Sequence, residues 1–232
     1  MISGDKRLGA ATDRRPLRLR EAGVWVPLAF ALARHGVTPD AVSIAGLAAG
    51  FVSGALLAAT SYGTGEALVR GLWLFAAASI ALRGACNILD GVMAVETGQS
   101  TPVGLLWNEV PDRITDAATL IGAGYALGSD PTLGWAATLT ATLVSYVRVQ
   151  CRIAGAPMDY CGPMAKPMRM VVIALAALWM AAAPAAWQWS AHMSGRGAMA
   201  LALAVVVAGG AVTLVRRLRR AAHALRAGIR AE

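Results

Sequence analysis

The sequence is poor in charged residues, histidine and cysteine. Of its 232 residues only 15% are charged, and it has three histidines and three cysteines. Three widely spaced cysteines exclude a disulfide framework and a close-spaced zinc pattern. With 57% hydrophobic residues and a mean hydropathy of +0.56, the chain is too apolar for a soluble domain of this size. The composition indicates an integral membrane protein.

Long apolar runs define the expected architecture. A helix needs roughly 17 to 25 mainly apolar residues to span a bilayer. Six runs meet this length, separated by polar or turn-forming segments: residues 41–60, 72–95, 104–127, 132–150, 169–187 and 198–215. The sequence therefore predicts an all-α bundle of six transmembrane helices.

The basic residues are distributed by loop. Seven precede Pro39 and six follow Val215, whereas the connections expected on the other side carry only Arg70 and Arg196. This asymmetry predicts that both termini are cytoplasmic. Because the basic residues form no groove, we expect no nucleic-acid partner, and the tail is expected to contact anionic membrane lipid. The predicted location is the bacterial inner membrane.

The N-terminal segment precedes the first span. Its arginines and the apolar run Val24–Ala33 have some features of a secretory signal. Pro27 and the Arg34-His35-Gly36 that follows favour instead an amphipathic helix in the cytoplasmic interface. We therefore predict three regions: a basic segment with this helix (1–40), the six-helix domain (41–215) and a basic cytoplasmic tail (216–232).

Two stripes of polar and small residues interrupt the second and third spans. At 100° per residue each stripe occupies about one third of its helix. The first comprises Arg83, Asn87, Asp90, Gly91 and Ala94, and the second comprises Gly104, Asn108, Asp112 and Asp116, with Glu109 at its flank. Carboxylates within a membrane span must be hydrated, paired or bound to metal, so they mark a functional site.

A hairpin between the two spans would bring these stripes together. If it turns near residue 99, residues whose numbers sum to about 198 lie level. Asn87 is then level with Asp112, and Arg83 with Asp116. We interpret the second pair as a buried structural ion pair, since a lone charge at that depth is costly.

The end of the two stripes nearer the hairpin carries mainly side chains with oxygen ligands: Asn87, Asp90, Asn108, Glu109 and Asp112. Such a set suits hard cations such as Mg²⁺, Mn²⁺ or Ca²⁺. Gly91 and Ala94 leave space for a ligand on the same face. The competing interpretation is helix packing by small residues and asparagine, but apposed Asp90 and Asp112 would repel without a cation.

These residues resemble the signature of the CDP-alcohol phosphatidyltransferase family. That signature reads D-x-x-D-G-x-x-A-R, eight residues, then G-x-x-x-D-x-x-x-D. The matching stretches are Asn87-Ile-Leu-Asp90-Gly91-Val-Met-Ala94-Val95 and Gly104-Leu-Leu-Trp-Asn108-Glu-Val-Pro-Asp112, in register without a gap. Val37-Thr38-Pro39-Asp40-Ala-Val-Ser43 is similar to the family's entry to the first span, and the region from Ser145 to Arg169 to its region after helix four.

The resemblance implies a membrane enzyme, usually a homodimer, that transfers a phosphatidyl group from CDP-diacylglycerol or a related CDP-alcohol to an alcohol and releases CMP. It implies Mg²⁺ or Mn²⁺ as cofactor. Asp112 would be the catalytic base or a metal ligand, and the implied metal set is Asp90, Asp112, Asn87, Asn108 and Glu109. The implied nucleotide-binding set is Thr38, Pro39, Asp40, Asn87, Asp90, Gly91, Ala94 and Gly104.

Four basic residues lie near the ends of the fourth and fifth spans: Arg148, Arg152, Lys166 and Arg169. Together they could bind the acceptor, a polar alcohol or its phosphate. Each could instead snorkel to the interface. A small transporter, with the acids and Arg83 lining a path, is the alternative from another functional class.

Three positions depart from the family pattern. Asn87 and Asn108 replace its first and third acids, and Val95 replaces its arginine. Asparagine keeps an oxygen ligand but loses the charge, so affinity for a second divalent ion should fall. Glu109 could restore one carboxylate. Three interpretations remain open: an enzyme with one or two metals, an enzyme with a different CDP substrate, and a CDP-lipid-binding relative without turnover.

Overall fold

The computed structural model describes residues 23–98, 102–188 and 195–229. This part of the chain is all-helical, as expected, with no strand. Its seven α-helices are α1 (Trp25–Arg34), α2 (Pro39–Ala59), α3 (Glu66–Glu96), α4 (Pro102–Gly124), α5 (Pro131–Ile153), α6 (Lys166–Ala182) and α7 (Ala198–Ile229). A short 3₁₀ helix, Ala185–Trp187, follows α6.

Local sequence explains several helix boundaries. The Thr38 hydroxyl accepts a hydrogen bond from the Ala41 amide and caps α2, with Pro39 as the first helical residue. Asp130 caps α5 in the same way, ahead of Pro131. Before α3 the chain turns at Gly65, whose φ of 98° favours glycine.

Three helices differ from the predicted spans. α3 begins at Glu66 rather than near 72, and Glu66 forms an ion pair with Arg70 one turn later. α6 ends at Ala182 rather than near 187, because Ala183 is extended ahead of Pro184. α7 continues through the basic tail to Ile229, a stretch rich in the strong helix formers alanine, leucine and arginine.

Among the described residues, three helices are long and apolar enough to cross a bilayer: α2, α3 and α7 up to Gly228. They make the chain an integral membrane protein. The other predicted spans are weaker for visible reasons. α4 contains Glu109, Asp112, Arg113 and Asp116, and α6 has only 17 residues.

Packing places α2 against both α3 and α4, while α6 packs on α3 and α5 packs on α4 and α7. α2 and α4 approach closely because Gly54 faces Gly122, where neither residue has a side chain to separate the backbones. The Ser53 and Thr119 hydroxyls join the same two helices at 2.8 Å.

Two apolar clusters surround the polar stripes. The larger one contains residues from every helix from α2 through α7, including Leu57, Trp73, Leu120, Ile173 and Leu203. The smaller one lies where α1 packs on α3 and includes Ala29, Val42, Leu89 and Met93. The polar stripe on α3 lies beside the smaller cluster, because Leu89 and Met93 are close to Asp90 on the same helix.

Candidate active site

Asp112 on α4 is held by donors from three other positions in the fold. Its Oδ1 accepts hydrogen bonds from Arg83 Nη2 at 3.1 Å and from Asn87 Nδ2 at 2.9 Å. Its Oδ2 accepts from Asn87 Nδ2 at 2.9 Å and forms an ion pair with Lys166 at the start of α6. The carboxylate is 14% exposed. Asp112 is therefore a largely buried anion between two cations.

Asp90 on α3 is the second buried acid of the site, 5% exposed. Its Oδ2 accepts a hydrogen bond of 2.6 Å from the Ser43 hydroxyl on α2, and its Oδ1 accepts one of the same length from the Gly91 amide. Ser43 lies 47 positions away, so α2 supplies a partner that helical periodicity alone does not indicate.

A buried charge cluster lies next to these two acids, around Asp116, one turn after Asp112 on α4. Arg83 Nη2 is 2.7 Å from Asp116 Oδ1, the pairing that the hairpin register predicts. Arg169 Nη2 is 3.1 Å from the other Asp116 oxygen, so the pair is a triad. All three side chains are at most 4% exposed. Arg83 Nε also donates to the Thr115 hydroxyl at 2.7 Å, which ties the cluster to α4.

Glu109 belongs to a more exposed network. It forms ion pairs with Arg113 and with Arg148, the second at 3.2 Å, and its side chain is 53% exposed. The Arg148 guanidinium also lies over the Tyr160 ring, 5.3 Å from its centroid. Glu109 could serve as a metal ligand only if these ion pairs opened.

A small cavity of about 20 Å³ separates the two buried acids, enough for roughly one water-sized group. It is lined by Ser43, Gly46, Leu47, Arg83, Cys86, Asn87, Asp90, Pro111, Asp112 and Thr115. Both predicted carboxylates thus face one space, with Asn87 between them. Glu109 does not line it.

The cavity offers carboxylate, amide and hydroxyl oxygens, the donor types that a hard divalent cation takes. In the described ranges no group of three or more histidine, cysteine, aspartate or glutamate side chains could hold a metal ion. The residues therefore fit a divalent cation that takes part of its coordination from neutral protein oxygens, water or a substrate phosphate.

The other predicted metal-binding and nucleotide-binding residues that the structure describes do not line this cavity. Thr38, Pro39 and Asp40 form the start of α2. Gly91 and Ala94 follow Asp90 on α3. Gly104 and Asn108 lie on α4, but their side chains are outside the described set. The positions predicted to bind nucleotide thus come from the ends of three helices.

The four predicted acceptor cations separate into two environments. Lys166 and Arg169 are 18% and 2% exposed and are paired with Asp112 and Asp116. Arg148 is paired with Glu109, and Arg152 is exposed near the end of α5. Neither the contact of Arg169 with Asp116 nor that of Lys166 with Asp112 could be predicted from spacing, because each joins positions more than 50 residues apart.

Known proteins are similar to this chain in sequence. The chain is 32% identical over 195 residues to a phosphatidylinositol phosphate synthase of Mycobacteroides abscessus, covering 81% of each chain. A search of family models finds none that matches.

Solved structures share the fold. The phosphatidylinositol phosphate synthase of Mycobacterium tuberculosis with CDP-DAG bound superposes with a TM-score of 0.66 at 22% identity, covering 86% of this chain and 94% of that one. Its complex with manganese and citrate gives the same TM-score at 24% identity, covering 85% and 88%. The relationship in sequence, extending over four fifths of both chains, shows that this protein belongs to the CDP-alcohol phosphatidyltransferase family.

Proposed function

We propose that the protein transfers a phosphatidyl group from CDP-diacylglycerol, or a related CDP-alcohol, to a polar alcohol and releases CMP in phospholipid synthesis. The observation that carries this proposal is the cavity between Asp90 and Asp112, bordered by Asn87 and Ser43 and flanked by Lys166 and Arg83. A pyrophosphate needs positive charge, and the alcohol needs a proton acceptor. The named relatives carry out this type of synthesis on the same fold.

In the proposed membrane arrangement, α2 to α7 all cross the bilayer. α1 lies in the cytoplasmic interface, and both termini and the active site face the cytoplasm of a bacterial inner membrane. The proposed regions are 1–40, 41–215 and 216–232, with α7 extending into the third as a basic helix that is buried at Arg217. The exposed apolar side chains of the bundle, including Phe51, Phe75, Leu139, Leu175 and Leu201, would contact lipid. A second copy of the chain would cover part of this surface in a homodimer.

Asp90 is the proposed main ligand of Mg²⁺ or Mn²⁺, with further oxygens from Asn87 and Asn108. When bound, the cation neutralises the pyrophosphate and the departing CMP phosphate. Ser43 holds Asp90 through its 2.6 Å hydrogen bond, which orients the carboxylate toward the cavity. Thr38 to Asp40, Gly91, Ala94 and Gly104 would border the nucleotide.

The reaction exchanges a phosphoanhydride bond for a phosphoester bond. The alcohol oxygen attacks the phosphorus that carries the diacylglycerol, the bond from that phosphorus to the CMP oxygen breaks, and CMP leaves as an anion. The proposed proton acceptor is Asp112 Oδ2. To take the proton it must release one of the two hydrogen bonds that it accepts from Asn87 and Lys166.

The proposed acceptor site uses Arg148, Arg152, Lys166 and Arg169. Arginine and lysine recognise phosphate through charge-assisted hydrogen bonds. Of the four, Arg148 and Arg152 lie on the last turns of α5 and are more accessible than the buried Arg169. Because the relatives are phosphatidylinositol phosphate synthases, an inositol phosphate is the first acceptor to test.

A binding relative without turnover is the second candidate. One observation favours it: the Asn87 amide donates to both oxygens of Asp112 and occupies the proposed base. In that case CDP-lipid would bind with no release of CMP.

The experiment is CMP release by the purified protein in detergent, with CDP-diacylglycerol, Mg²⁺ or Mn²⁺ and a panel of polar and phosphorylated alcohols. The expected result is CMP that depends on both metal and one alcohol and is lost in Asp90→Asn. Asp159→Asn, which changes an acid in the α5–α6 connection outside the cavity, is the matched control and should keep activity. CDP-lipid binding without CMP from any acceptor would favour the binding relative.

A further inference from the structure

Lys166 holds an unusual place for a residue predicted to bind the acceptor. It is the first residue of α6, and its side chain, 18% exposed, reaches the Asp112 carboxylate on α4. Arg83 approaches the same carboxylate through the other oxygen. Asp112 is therefore the anion of two ion pairs, one on each oxygen.

The hydrogen bonds to Asp112 fill its capacity to accept. A carboxylate has about four lone-pair sites. Arg83 and Asn87 donate to Oδ1, and Asn87 and Lys166 donate to Oδ2. A divalent cation could bind Asp112 only by displacing one of these donors.

The amide side chain at position 87 is consistent with this hydrogen bonding of Asp112. Its Nδ2 group is directed at Asp112, 2.9 Å from each oxygen. An ionised aspartate at position 87 has no donor and would repel Asp112 unless a cation lay between them. The amide at position 87 therefore suits a carboxylate that is already neutralised by side chains.

We propose that the site takes one divalent cation, held by Asp90, and that the Lys166 ammonium takes the position beside Asp112 that a second divalent cation would need. The inference rests on the proposed function, because it assigns the two positive charges that face the substrate phosphates. An ammonium has three donors, so Lys166 can contact Asp112 and a phosphate oxygen together. With Lys166 in place of a second divalent cation, the site holds less positive charge and needs fewer carboxylates. This accounts for asparagine at positions 87 and 108 of the motif.

The test counts bound ions without turnover. Mn²⁺ is titrated into the full-length protein in detergent with no alcohol present, and free and bound ions are separated by electron paramagnetic resonance. The wild type is expected to bind one Mn²⁺ per chain. The triple variant Asn87→Asp, Asn108→Asp, Lys166→Met is expected to bind two, with line broadening from the neighbouring ions. The matched variant Asn87→Asp, Asn108→Asp, Lys166→Arg keeps the side-chain cation and should bind one.

Two Mn²⁺ per wild-type chain, or none, would overturn the inference, and so would one Mn²⁺ in a folded triple variant. If the triple variant does not fold, the wild-type count decides. CMP release is then measured on the same samples after CDP-diacylglycerol and the panel of alcohols are added. One bound Mn²⁺ without CMP release would contradict the proposed transferase activity but support the role of Lys166. Two bound Mn²⁺ with CMP release would support the transferase activity and contradict the role of Lys166.

Discussion

Asp112 combines two demands at the scale of a single residue. It is the proposed proton acceptor, and it also anchors Arg83 and Lys166 beside the cavity. Both tasks depend on its negative charge, while its shape fixes the hydrogen bonds with Asn87. A substitution that removes the charge and keeps the shape therefore tests both tasks without leaving a cavity.

Asp112→Asn should lower turnover by about 100-fold or more, because general base catalysis alone contributes about 10² to 10⁴. Folding should persist, since the asparagine keeps the volume and the Arg83–Asp116–Arg169 contacts remain. Initial rates of CMP release and gel filtration in detergent measure the two effects. Asp159→Asn serves as the control for loss of an acid, and unchanged turnover in Asp112→Asn would remove its catalytic role.

Arg83 is a second single residue on which the site depends, and its role is structural. Arg83→Ala should sharply reduce the yield of folded protein, because Asp112 and the buried Asp116 each lose a cation. Removing one partner from a buried ion pair costs about 3 to 5 kcal/mol. The measurement is the monodisperse fraction after extraction in detergent.

The control for Arg83→Ala is Arg70→Ala on the same helix, which removes a pair with the exposed Glu66 and one hydrogen bond to the Ala181 carbonyl. An exposed pair contributes about 0 to 1 kcal/mol and a single hydrogen bond about 1 kcal/mol, so its yield should fall much less than that of Arg83→Ala. Equal yields for the two variants would contradict the structural role of Arg83.

At the scale of helices, the close contact of α2 with α4 sets the geometry of the site. Gly54 and Gly122 face each other, and a Cβ added at Gly122 would fall well inside contact distance of the Gly54 backbone. The two helices also carry Ser43 and Asp112. Any separation of α2 from α4 would therefore widen the cavity as well as loosen the bundle.

Gly122→Ala should lower the free energy of unfolding by about 1 to 3 kcal/mol, because backbone cannot move as easily as a side chain. Gly84→Ala on α3 is the matched control, since no heavy atom lies within 4 Å of its added Cβ. Thermal unfolding in detergent compares the two. A Gly122→Ala variant as stable as Gly84→Ala would show that the helices do not need this contact.

Helical periodicity and the hairpin register could predict much of the site. The predicted level pairs, Asn87 with Asp112 and Arg83 with Asp116, are both in contact in the structure. Partners from other helices could not be predicted this way. Ser43, Lys166 and Arg169 reach the site through packing between segments that are distant in sequence, and spacing along one helix contains no information about such contacts.

Helix boundaries show a similar division. The six apolar runs all contain helix in the structure, because hydrophobic length is a local property. The extension of α7 through the basic tail was not predicted from hydropathy, since those residues are charged. Burial explains part of it: Arg217 is 4% exposed and donates to the carbonyl oxygens of Val144 and Cys161, which fixes the tail to α5 and to the following connection.

At the scale of the whole molecule, orientation in the membrane follows from the charge distribution. The α2–α3 connection should face away from the cytoplasm and the end of α5 toward it. After replacement of Cys86, Cys151 and Cys161, single cysteines at Tyr62 and Ala154 report the two sides, since both positions are exposed. An impermeant maleimide should label Tyr62→Cys in intact cells and Ala154→Cys only after permeabilisation. The opposite pattern would invert the proposed topology.

The proposed activity of this bundle is to join a phosphatidyl group to an alcohol. Its most direct measurement is mass spectrometry of the lipid formed from CDP-diacylglycerol and the alcohol that supports CMP release, repeated with the deuterated alcohol. We predict a metal-dependent phosphatidyl-alcohol whose mass rises by the deuterium content, formed by the wild type and not by Asp90→Asn. No such lipid from a folded protein that binds CDP-diacylglycerol and Mn²⁺ would contradict the account.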